Sequence, residues 1–237
     1  MYSTESDAGQ RVLLPLLRAR GEARIDHLVL SHRDSDHVGG AATLLSRMPV
    51  VAFSSSLADD HPLRATAVPH QPCRAGQRWA WDGVTFEMLH PTEQTVADGG
   101  RPNTVSCVLR VSGPQGAALL TGDIERLQEL ALVERHAQAL RSDVLLVPHH
   151  GSRTSSTAAF ITAVAPGVAV VQAGYRSRFG HPAPDVVARY AERGVSVVRT
   201  DACGAWTWAP DGAPHCQRRV AARYWHHRVA EEPGQGR

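Results

Sequence analysis

The chain contains no lysine, so all 25 of its basic residues are arginine. That excludes mechanisms built on a Schiff-base lysine or on the lysine of a phosphate-binding P-loop. No apolar run approaches the ~20 residues needed to span a bilayer, and the N-terminus lacks the charged, apolar and small-residue order of a signal peptide. The chain is therefore expected to be soluble as given. Four cysteines, Cys73, Cys107, Cys203 and Cys216, form no CxxC pair, which argues against a zinc ribbon or a thioredoxin-like site. Cys203 and Cys216 flank a turn at Pro210-Asp211-Gly212, so an oxidising compartment would permit a bridge between them across a hairpin. A net charge of +2 is too small to announce a nucleic-acid partner by itself.

What is present is a chain of 237 residues, long enough to bury one large core. Short apolar runs alternate with helical patterns, the signature of a layered α/β fold. Strands are expected at Ile25 to Leu30, Val84 to Leu89, Cys107 to Val111, Ala117 to Thr121, Val144 to Val147 and Val168 to Gln172. Helices are expected at Arg11 to Arg20, Gly39 to Met48, Ile124 to Arg141, Ser155 to Val164 and Pro184 to Arg193. Gln94 to Pro102 reads as a loop, and Val197 to Thr200 with Ala205 to Trp208 as a closing hairpin. The expected organisation is one domain over 1–217 followed by a basic segment, 218–237, that is partly disordered.

Chemistry concentrates at the ends of the expected strands. His32, Asp34, Asp36 and His37 put four potential ligands within six residues between a strand and a helix, with Gly39-Gly40 letting the backbone pass close beneath them. Two imidazoles and two carboxylates packed together repel or lose ionisation unless a cation joins them. Asp123, His149, His150 and His181 likewise follow strand ends, the edge where layered α/β proteins gather ligands. Asp123 suits a carboxylate bridging two ions. From extended backbone, His149 and His150 point opposite ways, so one of the pair is expected to bind metal and the other to contact substrate or solvent. Ser152, Arg153 and Thr154 beside them are candidate phosphate contacts. His90 is expected to play a structural or supporting role.

The stretch from Ser31 to Gly40 resembles the SHxDxDHxGG pattern of the C-terminal domain of the ComEC DNA-internalisation proteins, within the metallo-β-lactamase superfamily. Asn103 to Ser106, Leu120-Thr121-Gly122-Asp123, Pro148 to Ser152 and Gly180-His181-Pro182 are similar to the later motifs, but the superfamily's middle metal-binding histidine is replaced near Asn103. The resemblance implies an αββα sandwich, here N-terminally truncated because the family's leading strands would precede this sequence. It implies two divalent ions, Zn or Mn, held by His32, Asp34, Asp36, His37, Asp123, His149 or His150, and His181, with Asp36 as the catalytic residue that orients or deprotonates water. The implied activity is DNA hydrolysis during natural transformation. The implied partners are DNA and the membrane-channel portion of a ComEC-type protein, with this domain on the outer, periplasmic side of the inner membrane and no organic cofactor. Hydrolysis of another ester, such as phosphorylcholine, remains open. So does a non-catalytic DNA-binding or scaffolding role, in which Arg218, Arg219, Arg223 and Arg228 with Tyr224 and Trp225 contact the strand.

Overall fold

The computed structural model describes residues 7–175, 177–208 and 213–224. A π-helical turn, Gly9–Leu13, runs into helix α1 (Leu14–Ala19), and strand β1 (Ile25–Leu30) follows. Then come α2 (Ser35–Val38), α3 (Ala41–Arg47), β2 (Val50–Ser55), β3 (His70–Pro72), β4 (Arg78–Trp81), β5 (Val84–His90) and α4 (Glu93–Ala97). The second half contains β6 (Val108–Gly113), β7 (Gly116–Leu120), α5 (Arg126–His136), β8 (Val144–Leu146), α6 (Ala158–Val164), β9 (Val168–Val171), α7 (Pro184–Ala191), β10 (Ser196–Arg199) and α8 (Thr200–Cys203). Strands β11 (Trp206–Thr207) and β12 (His215–Cys216) and helix α9 (Gln217–Val220) close the described chain.

Two main sheets form. One is the parallel set β1-β2-β3 and the other has seven strands in the order β10-β9-β8-β7-β6-β5-β4. Strands β4 to β7 pair antiparallel, with tight turns at β4–β5 and β6–β7 and a longer connection carrying α4 between β5 and β6, whereas β7 to β10 run parallel with α5, α6 and α7 as crossovers. Period-2 alternation decides the layers. On β1, Leu28 and Leu30 face α3 and Phe53, while Val29 faces Met88 and Leu109 of the large sheet. The other face of the large sheet, with Leu119, Leu145 and Val171, is covered by Leu132 of α5, Phe160 and Ile161 of α6, and Val186 and Tyr190 of α7. The result is helix, sheet, sheet, helix. Phe160 is wholly buried, so its truncation to Ala should cost about 3–5 kcal/mol.

Several expectations need correction. Three strands lie outside those expected: β2, which begins apolar but ends in Ser54-Ser55, β3, which is only three residues long, and β4, with Trp79 and Trp81. Helix α4 occupies Glu93–Ala97 inside the expected loop because Thr92 caps it, its hydroxyl accepting from Thr95 N–H. Helix α5 starts at Arg126, after a Glu125/Gln128 capping box, and Ile124 is core. The expected hairpin does not form. Val197 and its neighbours join β9 in parallel, the chain turns at Gly204, whose φ is 72°, and Trp206 pairs with Cys216. The disulfide Cys203–Cys216 is present, and a second, Cys73–Cys107, ties the end of β3 to the start of β6. Pro210 to Gly212, Trp225, Arg228 and the expected disordered tail lie outside the described residues.

Candidate metal centre

The carboxyl ends of β1 and β7 are brought side by side, with Cys107 N–H donating to the Ser31 carbonyl at 2.9 Å. Residues past β1, β7 and β8 thereby reach one point. Asp34, in extended conformation, starts the short helix α2, and that turn carries His37 back over His32, their ring centroids 4.0 Å apart. The Ser31 hydroxyl lies 3.1 Å from Nδ1 of both rings, which leaves each Nε2 directed at the cluster.

Asp123 is the hub. Its Oδ1 lies 3.2 Å from His37 Nε2, and its Oδ2 lies 3.9, 3.8 and 3.6 Å from the Nε2 atoms of His32, His149 and His150. Asp34 Oδ2 is 3.5 Å from His32 Nε2, and Asp36 Oδ2 is 3.3 Å from His150 Nε2 and 3.8 Å from His37 Nε2. His181 stands at the rim, its ring 5.9 Å from that of His149, with Nδ1 buried and unpartnered. The cluster opens on a cavity of about 200 Å³ whose walls include Val29, Leu109 and Leu120 between the sheets.

The histidine pair behaves differently from the alternation expected of extended backbone. His149 (φ 48°, ψ 45°) and His150 (φ 53°, ψ 19°) are both left-handed, and both rings turn toward Asp123. Such conformations cost of order 1–3 kcal/mol each and persist only where the surroundings impose them. At Gly151, with φ 78°, an added Cβ would lie 2.7 Å from that of Pro182, so only glycine fits. Farther along, Glu129 is fully buried and accepts from Ser156 N–H at 2.5 Å and Thr157 N–H at 2.7 Å. Arg189 donates to the carbonyls of Ser155 and Ser156, and the Tyr190 hydroxyl reaches Ser156 Oγ. These groups clamp the loop that carries the two rings.

Other side chains reach the cluster without having been singled out. Glu125 Oε1 is 3.2 Å from His149 Nδ1 and accepts from the Thr154 hydroxyl at 2.8 Å; its only cue was its place two residues past Asp123. From the Asn103 stretch it is Ser106 that bonds the cluster, its Oγ 3.3 Å from His32 Nδ1 and accepting from Asp123 N–H. His90 acts behind it, Nδ1 2.8 Å from the Ser106 carbonyl. Of the candidate phosphate contacts, Ser152 is buried, Thr154 is bonded to Glu125, and the Arg153 guanidinium is engaged by Asp185.

Burial, reinforced by the neighbouring His37, pushes His32 down to about 4, so its imidazole is neutral near pH 7. Burial works against protonation of His37 too, but the Asp123 carboxylate bonded to it raises it above the ordinary range. Burial likewise opposes ionisation of Asp123, yet the surrounding imidazoles, His37 first, hold it low.

These donors fit a divalent cation. His32 Nε2 is wholly buried with no hydrogen-bond partner, an expensive state for a polar atom unless something accepts its lone pair. The Nε2 atoms of His37 and His150 face each other at 3.3 Å. Two ligands about 2.0–2.1 Å from a tetrahedral zinc stand about 3.3 Å apart, close to the spacings here. His32, His37 and Asp123 form one such group, and Asp36, His37 and His150 another.

The sequence pattern described as the Metallo-beta-lactamase superfamily matches residues 4–175. Competence protein ComA of Neisseria gonorrhoeae is 40% identical over 92% of this chain and 30% of its own length. ComE operon protein 3 of Bacillus subtilis (strain 168) is 31% identical over 83% of this chain and 26% of its own. The chain thus spans less than a third of either relative. Among solved structures, a variant of the CmlA β-hydroxylase, an enzyme of Streptomyces venezuelae, aligns at a TM-score of 0.50 with 12% identity, over 75% of this chain and 43% of that one. That likeness concerns the fold alone.

Proposed function

This chain belongs to the metallo-beta-lactamase superfamily, and from that premise we propose that it is a metal-dependent hydrolase that cleaves DNA phosphodiesters during DNA uptake in natural transformation. The observation that carries the reading is the convergence on Asp123 of four imidazoles, with both its oxygens engaged and His32 Nε2 unpartnered. His32, Asp34, His37, Asp123, His149, His150 and His181 would hold two divalent ions, Zn or Mn, with Asp36 at the solvent side. Such ions supply charge neutralisation at the phosphoryl oxygens and a lowered pKa for attacking water. The two carboxylates of the first loop make the donor set harder than an all-imidazole one, which favours Mn as a rival to Zn.

The chain's own residues divide the remaining work. Hydrolysis forms a bond from water oxygen to phosphorus and breaks the ester P–O bond, so a group must take the water's proton and pass it to the departing ester oxygen, which leaves as an alcohol. Asp36 Oδ2, on a carboxylate that is 62% exposed and points toward His150, takes that role. Glu125 and Ser31 fix ring orientation through the opposite nitrogens of His149, His32 and His37. Ser152, Arg153 and Thr154 border the site on the His149 side, where Arg153 is the exposed side chain.

The competence-protein relatives support the place in DNA uptake, and their greater length supports a partner segment, in the resembled family a membrane channel. Two disulfides support an oxidising compartment such as the periplasmic side. No helix among the described residues is long and apolar enough to cross a membrane. The test is metal content by plasma emission together with manganese-dependent cleavage of single- and double-stranded DNA, comparing wild type with Asp36→Ala/His37→Ala. Metal in the wild type, and cleavage lost in the variant, is the expected result. A folded wild type with neither metal nor cleavage overturns the reading and leaves a DNA-binding or scaffolding domain.

A further inference from the structure

A second, larger cavity of about 360 Å³ lies at the carboxyl edge of the three-stranded sheet. Arg33, placed between the candidate ligands His32 and Asp34, lines one side of it, with Ser55 and Ser56 from the end of β2 and Arg74 just past β3. The Ser56 hydroxyl donates to the Ser31 carbonyl at 2.6 Å, so the cavity and the first histidine loop share a wall. Its size lies within the range of about 300–1,000 Å³ typical of ligand pockets.

The charges in this lining are uneven. Arg33, Arg64 and Arg74 are set against a single carboxylate, Asp59, which pairs with Arg64. Arg33 has no hydrogen-bond or ion-pair partner among the described residues. Among the described residues the Arg74 guanidinium bonds only to the Cys73 carbonyl, so none of their carboxylates neutralises its charge. Leu57, Val96, Pro102 and Val105 add apolar side chains to the same lining. Cationic forks and apolar side chains in one lining suit a group that is anionic at one end and flat and apolar at the other.

We propose that this cavity is a nucleotide subsite in which Arg33 and Arg74 hold the phosphate next to the one being cleaved, while its sugar and base lie against Leu57, Val96 and Val105. The subsite rests on the phosphodiesterase reading above. It moves phosphate binding to the first histidine loop and away from Arg153, whose guanidinium Asp185 already engages. Arginine suits the task because its planar fork pairs with two phosphate oxygens at once. Arg33 ties the cavity to the cluster, because it stands between His32 and Asp34 in the first loop.

The experiment measures fluorescence anisotropy of a labelled single strand, phosphorothioate-linked so that it keeps its charge and resists hydrolysis, across a salt series. For Arg33→Ala/Arg74→Ala we expect about tenfold weaker binding and a log affinity against log salt slope shallower by about 1.4, two contacts at about 0.7 each on a single strand. Arg33→Lys/Arg74→Lys should recover most of that slope, which separates lost charge from lost folding. An unchanged slope in a folded alanine variant overturns the subsite. Cleavage of an ordinary strand by the wild type is followed in parallel. Slope loss in the variant with no cleavage by the wild type would sink the nuclease reading and keep the subsite, whereas cleavage with an unchanged slope would do the reverse.

Discussion

The loop after β1 and the loop after β8 deliver the same kind of side chain to the same place by different means. In the first, one extended residue and one helical turn suffice. Asp34 starts α2 and Ser31 bonds both rings, so the turn itself sets the ring positions, and Ser106 and Asp123 add contacts from outside it. In the second, His149 and His150 sit in left-handed backbone that a residue with a Cβ disfavours, and the restoring groups come from α5 and α7. A locally closed motif draws little on the rest of the fold, while a strained one is only as firm as its buttress.

That contrast can be broken at its common point. Asp123→Asn removes the charge both loops share, and should cost at least about a hundredfold in metal affinity and activity, since even outer partners of metal ligands are worth about 10–100-fold. Metal titration by calorimetry checks it, and unaltered affinity would show that the two loops do not meet through Asp123. Next in size, Glu129→Ala strands two buried N–H donors at about 1–3 kcal/mol each. Urea unfolding should therefore register a loss of about 2–6 kcal/mol, together with weaker metal retention at the second loop.

A smaller effect sharpens the comparison. Glu125→Gln leaves the first loop intact and weakens the charge behind His149, so metal affinity should fall by about tenfold, the lower end of the outer-partner range. Competition with a chelator of known affinity measures this, and a change as large as that of Asp123→Asn would mean that Glu125 is itself a ligand. The smallest effect concerns pH. Burial lowers the pKa of His90 below its ordinary 6.5, so the folded state favours the neutral ring. The stability this contributes is present above pH 6.5 and is lost as pH falls through the lowered value, because the unfolded chain takes up the proton first. Thermal melting from pH 7 to about 5 should decline less steeply in His90→Gln, whose amide keeps a donor for the Ser106 carbonyl. Parallel pH profiles would show that His90 does not titrate in this range.

The first loop was legible because its information is local. Four potential ligands within six residues after an apolar run, followed by two glycines, have few other physical explanations, and β1 itself matches its expected bounds. Asp123 and the His149-His150 pair stood out for the same reason, at the ends of apolar runs. The short strands β2, β3 and β4 did not, because they are held by pairing with longer neighbours more than by their own pattern. The Cys73–Cys107 bridge joins residues 34 apart that meet only once the two sheets face each other. Glu125 and Glu129 looked like ordinary polar residues of a helical stretch.

By itself the sequence determined the layered α/β class, the residue types of the centre and the strand ends where they gather, because periodicity and ligand spacing are written along the chain. Only the tertiary structure decided that both His149 and His150 face Asp123, that Arg153 is engaged by Asp185, and that Arg33, Arg64 and Arg74 line one cavity. Each of these depends on backbone angles or on neighbours distant in sequence, which packing fixes and no local pattern encodes.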